Sequence, residues 1–259
     1  MLKIIISVLL IAIISVSVSN IYSAFAQGDN NSTSNLPNID AQTIYEQKTA
    51  VLGSDIKNFV ILIPNEGHES TNQPKKQYPL ANQPYIPQTI TAAKGTSITW
   101  LNGDVDHDHT VKFRTPNPQN LETTDSFTTS EYTTVNLNQT GQYSYYEDDV
   151  NSEDKAFVME GTINIVDSND KTILNNGSNT LPINTVGILM VPSKDSQSIS
   201  STLESEGITI LSDYTFTDLR GGQKGTGPTQ TILVWGTQND NIDQTLSPVI
   251  SILNELPYS

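Results

Sequence analysis

Short apolar runs recur through the middle of the chain and alternate with turn-forming residues. Seven of them have the length and alternation of β-strands, and none carries the apolar stripe of a long helix. They are Phe59–Ile63, Thr89–Ala93, Ser97–Leu101, Thr110–Phe113, Tyr132–Leu137, Gln142–Tyr146 and Gly161–Val166. Many short strands separated by frequent turns are typical of a β-sandwich, which we predict for residues 53–167.

The hydrophobic period changes after this region. The pattern predicts a strand, a helix, two strands and a second helix, at Val186–Val191, Ser193–Glu206, Ile208–Leu211, Thr231–Trp235 and Ile242–Leu256. In the first helix, Ile199 and Leu203 have helical spacing, and Gly207 is a natural stop. The order β-α-β-β-α predicts a small α/β domain at 184–259, after an Asn-, Ser- and Gly-rich linker at 168–183. The predicted fold is therefore mainly β.

The first 26 residues have the pattern of an export signal. A short basic start is followed by the apolar run Ile4–Val18 and by Ala24-Phe25-Ala26, a small-x-small cleavage pattern. The same stretch is also long enough to cross a bilayer as an uncleaved anchor. Residues 27–52 are polar and indicate a linker. We expect the remaining chain to be extracytoplasmic, either secreted or anchored to the outer face of the membrane through this segment alone.

Charge and composition narrow the function. The chain has 28 acidic and 13 basic residues, a net charge of −15, which disfavours nucleic acid and anionic lipid as partners. The charge suits a solvated surface or a basic protein partner at the cell surface. The absence of Cys excludes disulfides, thiolate metal sites and Cys nucleophiles. No catalytic triad is recognisable, so a binding role is favoured over an enzymatic one.

Two ordered blocks within residues 58–167 carry a family pattern. The first consists of Tyr85–Ile90, Lys94–Asn102 and His109–Val111, and the second of Gly141–Tyr146 and Met159–Ile163. Together they resemble the cupredoxins, the plastocyanin-like domains with blue type 1 copper. The resemblance implies a Greek-key β-sandwich and a copper ion held by two His, one Cys thiolate and a weak axial Met.

Only part of that copper site is present in this chain. By the resemblance, His109 matches the first His and Met159 matches the axial Met. Glu147 stands at the Cys position, and the second His has no counterpart. A thiolate supplies the covalency for rapid electron transfer and a carboxylate does not, so we expect a degenerate site without blue copper.

A different metal site is suggested by the residues themselves. In an extended segment His107 and His109 point to the same face and can reach one ion, with Glu147 as a carboxylate from the opposite loop. This set suits copper, with zinc as an alternative. His68 is a weaker candidate, and acids of the next loop, including Asp149, suit Ca²⁺ but lack EF-hand spacing.

Two functions are favoured over a third, a hydrolytic or oxidative enzyme that would use His107, His109 and Glu147. The first is a metal-binding carrier or redox accessory. The second is a metal-free scaffold that acts as a binding module at the cell envelope. In the second case His109 is a packed, hydrogen-bonded residue and the acids form a solvated loop.

Overall fold

The computed structural model describes residues 39–65, 81–105, 107–147, 158–170, 182–217 and 228–256. The predicted signal or anchor at 1–26 lies outside these ranges. The described helices are α1 (Ala41–Gln47), α2 (Ser196–Ser205) and α3 (Ile242–Glu255). The described strands are β1 (Thr49–Val51), β2 (Asn58–Ile63), β3 (Thr89–Ala93), β4 (Ser97–Asn102), β5 (Lys112–Phe113), β6 (Tyr132–Asn136), β7 (Gly141–Tyr146), β8 (Glu160–Val166), β9 (Thr185–Pro192), β10 (Thr209–Thr217) and β11 (Thr229–Thr237). No helix within the described ranges is both long and apolar enough to span a membrane.

The strands form two sheets. Sheet I has the order β1-β3-β8-β7-β5, and sheet II has the order β10-β11-β9-β2-β4-β6. In sheet II, β2 pairs in parallel with both β4 and β9. All seven strands predicted for the sandwich are present, each within two residues of its predicted bounds.

Sheet II is covered on both faces. One hydrophobic core lies between the two sheets, and a second lies between sheet II and the helices α2 and α3. In β2, Phe59 and Ile61 belong to the first core and Val60 to the second. All six residues of β2 are buried, since both faces of sheet II are covered. Burial on both faces explains why the sequence of β2 is an almost continuous apolar run. The described residues therefore form three layers: sheet I, sheet II and the helices α2 and α3.

Residues 39–52 correct the polar linker predicted for 27–52. Asp40 caps α1, since its side chain accepts a hydrogen bond of 2.8 Å from the backbone N–H of Thr43. Ile44 of α1 is fully buried, and Tyr45 stacks on Phe216 of β10 with ring centroids 4.1 Å apart. The strand β1 then pairs with the edge of sheet I. A few buried side chains thus fold a segment whose composition is polar.

The C-terminal elements follow the predicted order β-α-β-β-α and extend sheet II. Asn58 and Val60 of β2 lie opposite Thr185 and Gly187 of β9. The carbonyl of Asn184 also accepts hydrogen bonds from the backbone N–H groups of Lys57 and Asn58, at 2.8 and 3.0 Å. The boundary predicted at 168–183 falls between β8 of sheet I and β9 of sheet II, and the segments before and after it both contribute strands to sheet II. Residues 171–181 lie outside the described ranges.

Candidate functional site

His109 lies on a loop that Asn102 organises at the end of β4. The Asn102 side chain accepts from the backbone N–H of Asp104 at 2.8 Å and donates to the carbonyl of His107 at 2.9 Å. Asn side chains commonly stabilise such turns. His109 then exchanges two backbone hydrogen bonds of 3.0 Å with Phe127. These bonds fix the backbone of His109 and place its ring in the interior, where the side chain is fully buried.

Glu147 comes to the same ring from the end of β7. Its Oε2 lies 2.7 Å from Nδ1 of His109, and its Oε1 accepts from the backbone N–H of Thr110 at 3.2 Å. Its own N–H donates to the carbonyl of Met159 at 3.0 Å. The carboxylate is only 7% exposed. Both carboxylate oxygens are therefore engaged by the segment that carries His109.

Asp104 lies at the other edge of the His109 ring. Its Oδ2 is 3.7 Å from Nε2 of His109 and 2.8 Å from Nδ1 of His107. The Asp104 side chain is fully buried, whereas the His107 side chain is 26% exposed. Glu147, His109, Asp104 and His107 thus form a row of alternating acids and imidazoles that leads from the interior to solvent. We call these four residues the acid–histidine row.

The charge state of His109 follows from this setting. Burial alone lowers the pKa of His109, because a low-dielectric interior disfavours the charged ring. The carboxylates of Asp104 and Glu147 act in the opposite direction and outweigh burial, so the pKa is raised from 6.5 to about 9. At neutral pH the ring is therefore a protonated imidazolium, and its Nδ1–H donates to Glu147.

Buried aromatic rings anchor the strand that carries Glu147. Tyr145, two residues before Glu147, packs against Tyr85, Trp100 and Phe113, with ring centroids 5.0, 5.2 and 6.4 Å away. Its neighbour Gly161 is required by this packing, because a Cβ there would lie 2.2 Å from Cζ of Tyr145. The end of β7 is therefore held in place by a rigid core.

The structure divides the predicted metal ligands. It brings His109 and Glu147 together, but His107 lies on the Nε2 side of His109, beyond Asp104, and the two imidazole centroids are 6.5 Å apart. Met159 is buried in the core between the sheets. Across the described ranges, no three His, Cys, Asp or Glu side chains are already gathered around one metal position. The ligand role of these residues stays a prediction, and His68 and Asp149 lie outside the described residues.

Asp104 is the site residue that sequence reasoning missed. The expectation that His107 and His109 share a face assumed an extended segment. The Asn102 side chain instead binds the backbone of both Asp104 and His107, and the Asp104 carboxylate lies between the two imidazoles. The signal that was available is the Asn-Gly-Asp sequence at 102–104 directly after a strand, which is typical of a turn.

These donors do not fit a blue copper ion. Such a site needs a thiolate, and the chain has no Cys. At the position where the resemblance places the thiolate, Glu147 forms a hydrogen bond to Nδ1 of His109. Glu147 and His109 therefore share a proton between Oε2 and Nδ1 at that position.

The similar solved structures named here share less than 20% sequence identity with the chain. No protein-family model and no curated protein matches the chain. Solved structures similar to it include a purple cupredoxin from Nitrosopumilus maritimus, at 19% identity and a TM-score of 0.29, over 41% of this chain and 98% of that one. Oxidized plastocyanin from Dryopteris crassirhizoma matches at 15% identity and a TM-score of 0.30, over 41% and 99%. Amicyanin from Paracoccus versutus matches at 16% and 0.28, over 52% and 94%.

At such identities and TM-scores these similarities carry no argument about activity or ligands. The predicted fold class is nevertheless confirmed. The part of the chain that the structure describes is mainly β, with two sheets and a C-terminal segment that contains helices.

Proposed function

We propose that this chain is an exported cupredoxin-fold binding protein that does not carry electrons. The observation that carries the proposal is the 2.7 Å hydrogen bond between Glu147 Oε2 and His109 Nδ1. In the family that the sequence resembles, the corresponding residues hold copper through a thiolate and an imidazole. A carboxylate does not provide the same covalency, so the centre of this domain is redox-silent.

The acid–histidine row then has a structural role. It joins the loop after β4 to the end of β7, and each of its ionic groups is paired. A buried ion pair adds little net stability compared with a well-packed apolar core, but removing one partner leaves an uncompensated charge. The row therefore favours one arrangement of the loops at this end of the sandwich, and a fixed loop arrangement is what a binding surface needs.

The proposed ligand is a basic protein at the cell surface. The net charge of −15 favours association with a positively charged partner. Asp108, Glu122 and Asp125 are exposed on the two segments that pair at His109 and Phe127. Association through such exposed charges is screened by salt, so binding should weaken steeply as ionic strength rises.

Copper loading tests the redox-silent centre. We expect the purified protein mixed with Cu(II) to show no intense thiolate-type visible band and no reversible one-electron couple by voltammetry. An intense band or a reversible couple would refute the proposal.

Export is tested separately by protease treatment of intact cells, which should digest the protein. Protection from protease in intact cells, with digestion after lysis, would contradict an extracytoplasmic location.

A further inference from the structure

One ring nitrogen of His109 has no hydrogen-bonding partner. Nε2 is buried without a hydrogen bond, and the nearest acid oxygen, Oδ2 of Asp104, is 3.7 Å away. That distance exceeds the roughly 3.2 Å limit of a normal N–H···O hydrogen bond. The same oxygen lies 2.8 Å from Nδ1 of His107. A buried polar atom aimed at an acid without bonding to it requires an explanation.

We propose that His109 Nε2, Asp104 and His107 form a binding site for a divalent cation of the zinc type. Zinc binds imidazole nitrogen and carboxylate oxygen at about 2.0–2.2 Å, so two donors of one tetrahedral ion lie roughly 3.4 Å apart. The observed 3.7 Å between Nε2 and Oδ2 is close to this separation. The ion takes the place of the proton on Nε2 and gives this buried nitrogen a partner.

Glu147 prepares His109 for this role from the opposite edge of the ring. A metal-binding His usually donates its other N–H to a carboxylate, which fixes the tautomer and the ring orientation. The hydrogen bond from Nδ1 of His109 to Glu147 has this form. It keeps a proton on Nδ1 and directs the lone pair of Nε2 towards Asp104. The proposed ion therefore lies across the ring from the copper position that the family resemblance implies.

His107 completes the site by a movement of its side chain. The three donors do not surround one point as they stand, so the His107 ring has to turn from its hydrogen bond with Asp104 towards the ion. Its backbone is held by Asn102, whereas its side chain is 26% exposed. The exposed edge gives the ion a route in and leaves a fourth position for water, which is common in three-ligand zinc sites.

The experiment is a calorimetric titration of Zn²⁺ into the whole chain in a mildly alkaline buffer, after bound metal has been removed with EDTA. We expect one Zn²⁺ per chain. His107→Gln should weaken binding at least about tenfold, and Asp104→Asn should do the same, since even outer-shell changes cost about 10- to 100-fold. Glu204→Gln is the matched control, because it removes an exposed acid of α2 outside the acid–histidine row, and its affinity for Zn²⁺ should equal that of the wild type.

His107→Gln is the decisive variant, because His107 is partly exposed and its loss leaves Asp104 and His109 in place. Circular dichroism verifies that it folds. Nitrogen-detected NMR of the imidazoles provides a second readout: Zn²⁺ should shift Nε2 of His109 and leave the proton on Nδ1. The proposal is overturned by wild-type protein that binds no stoichiometric Zn²⁺, by unchanged affinity in His107→Gln, or by Zn²⁺ on Nδ1. None of these outcomes alters the copper test of the redox-silent centre.

Discussion

Glu147 Oε2 lies 2.7 Å from His109 Nδ1, and both side chains are withdrawn from solvent. The two residues lie 38 positions apart in the sequence. Their contact joins the loop after β4 to the end of β7. It also makes the ionic state of one residue depend on the other.

Loss of the Glu147 charge should destabilise the fold. Glu147→Gln keeps the shape but removes the carboxylate that compensates the His109 imidazolium. Breaking one partner of a buried ion pair typically costs about 3–5 kcal/mol, so we expect a loss of about 3 kcal/mol in the free energy of unfolding, measured with urea. Asp125→Asn is the control, because Asp125 is exposed, and it should change stability by less than about 0.5 kcal/mol. Equal effects in the two variants would contradict a paired, buried Glu147.

Stability should fall with rising pH because of His109. Its pKa is about 9 in the folded protein and about 6.5 in the unfolded chain. Between these values the folded state binds more protons, so the stabilisation is complete below pH 6.5 and is lost as the pH rises through 9. The total is on the order of 3 kcal/mol.

Urea unfolding in EDTA at several pH values measures this loss, and His109→Gln should remove the slope. The series should stop below about pH 10, where tyrosines of the unfolded chain begin to ionise. Burial and the hydrogen bond to Asp243 raise the pKa of Tyr132 to about 12 in the folded protein. Between pH 10 and 12 Tyr132 therefore causes a separate loss of folding stability. A wild-type slope that persists in His109→Gln would show that another group is responsible.

Local elements were predictable from sequence where the apolar period was clear. The strand β3 has the predicted bounds, and α3 differs from its prediction by one residue. The helix α1 was not predicted, because it is short and its buried face depends on Ile44 and on contact with β10, which lies far away in sequence. Periodicity within seven residues cannot reveal such a partner.

Pairing between distant segments was also beyond sequence reasoning. The continuous apolar run of β2 indicates burial on both faces, but not that β9 lies beside it. The candidate site shows the same limit. Glu147 could be placed near His109 through the family pattern. Asp104 was not considered, because its place in the acid–histidine row depends on the hydrogen bonds that the Asn102 side chain makes to Asp104 and His107.

A thiolate placed at residue 147 should restore a coloured copper centre. Glu147→Cys puts a sulfur beside Nδ1 of His109, and a Cu(II) ion bound by both should show a thiolate charge-transfer band that the wild type lacks. Ser144→Cys is the control, since it adds a cysteine to the same strand away from His109. Visible absorption during Cu(II) titration compares the three proteins. A band of equal intensity in both variants, or in neither, would show that residue 147 is not equivalent to the family's Cys position.

A fragment that ends at residue 167 should not behave as an independent domain, although the hydrophobic pattern of 53–167 predicted one. Without β9, the strand β2 becomes an edge with unpaired backbone groups, and such edges promote association. Val60 and Leu101 are fully buried in the core beneath the helical layer, and each would lose about 1.5–3 kcal/mol of burial.

We expect a fragment of residues 39–167 to be aggregated or unfolded by size-exclusion chromatography and circular dichroism, whereas residues 39–256 should give a monomeric, cooperatively unfolding protein. The same fragment with Val60→Lys and Leu101→Thr is the informative control, since a polar outer face should restore solubility if exposure of this surface is the cause. A soluble, cooperatively folded 39–167 fragment with the native sequence would instead support two separable domains.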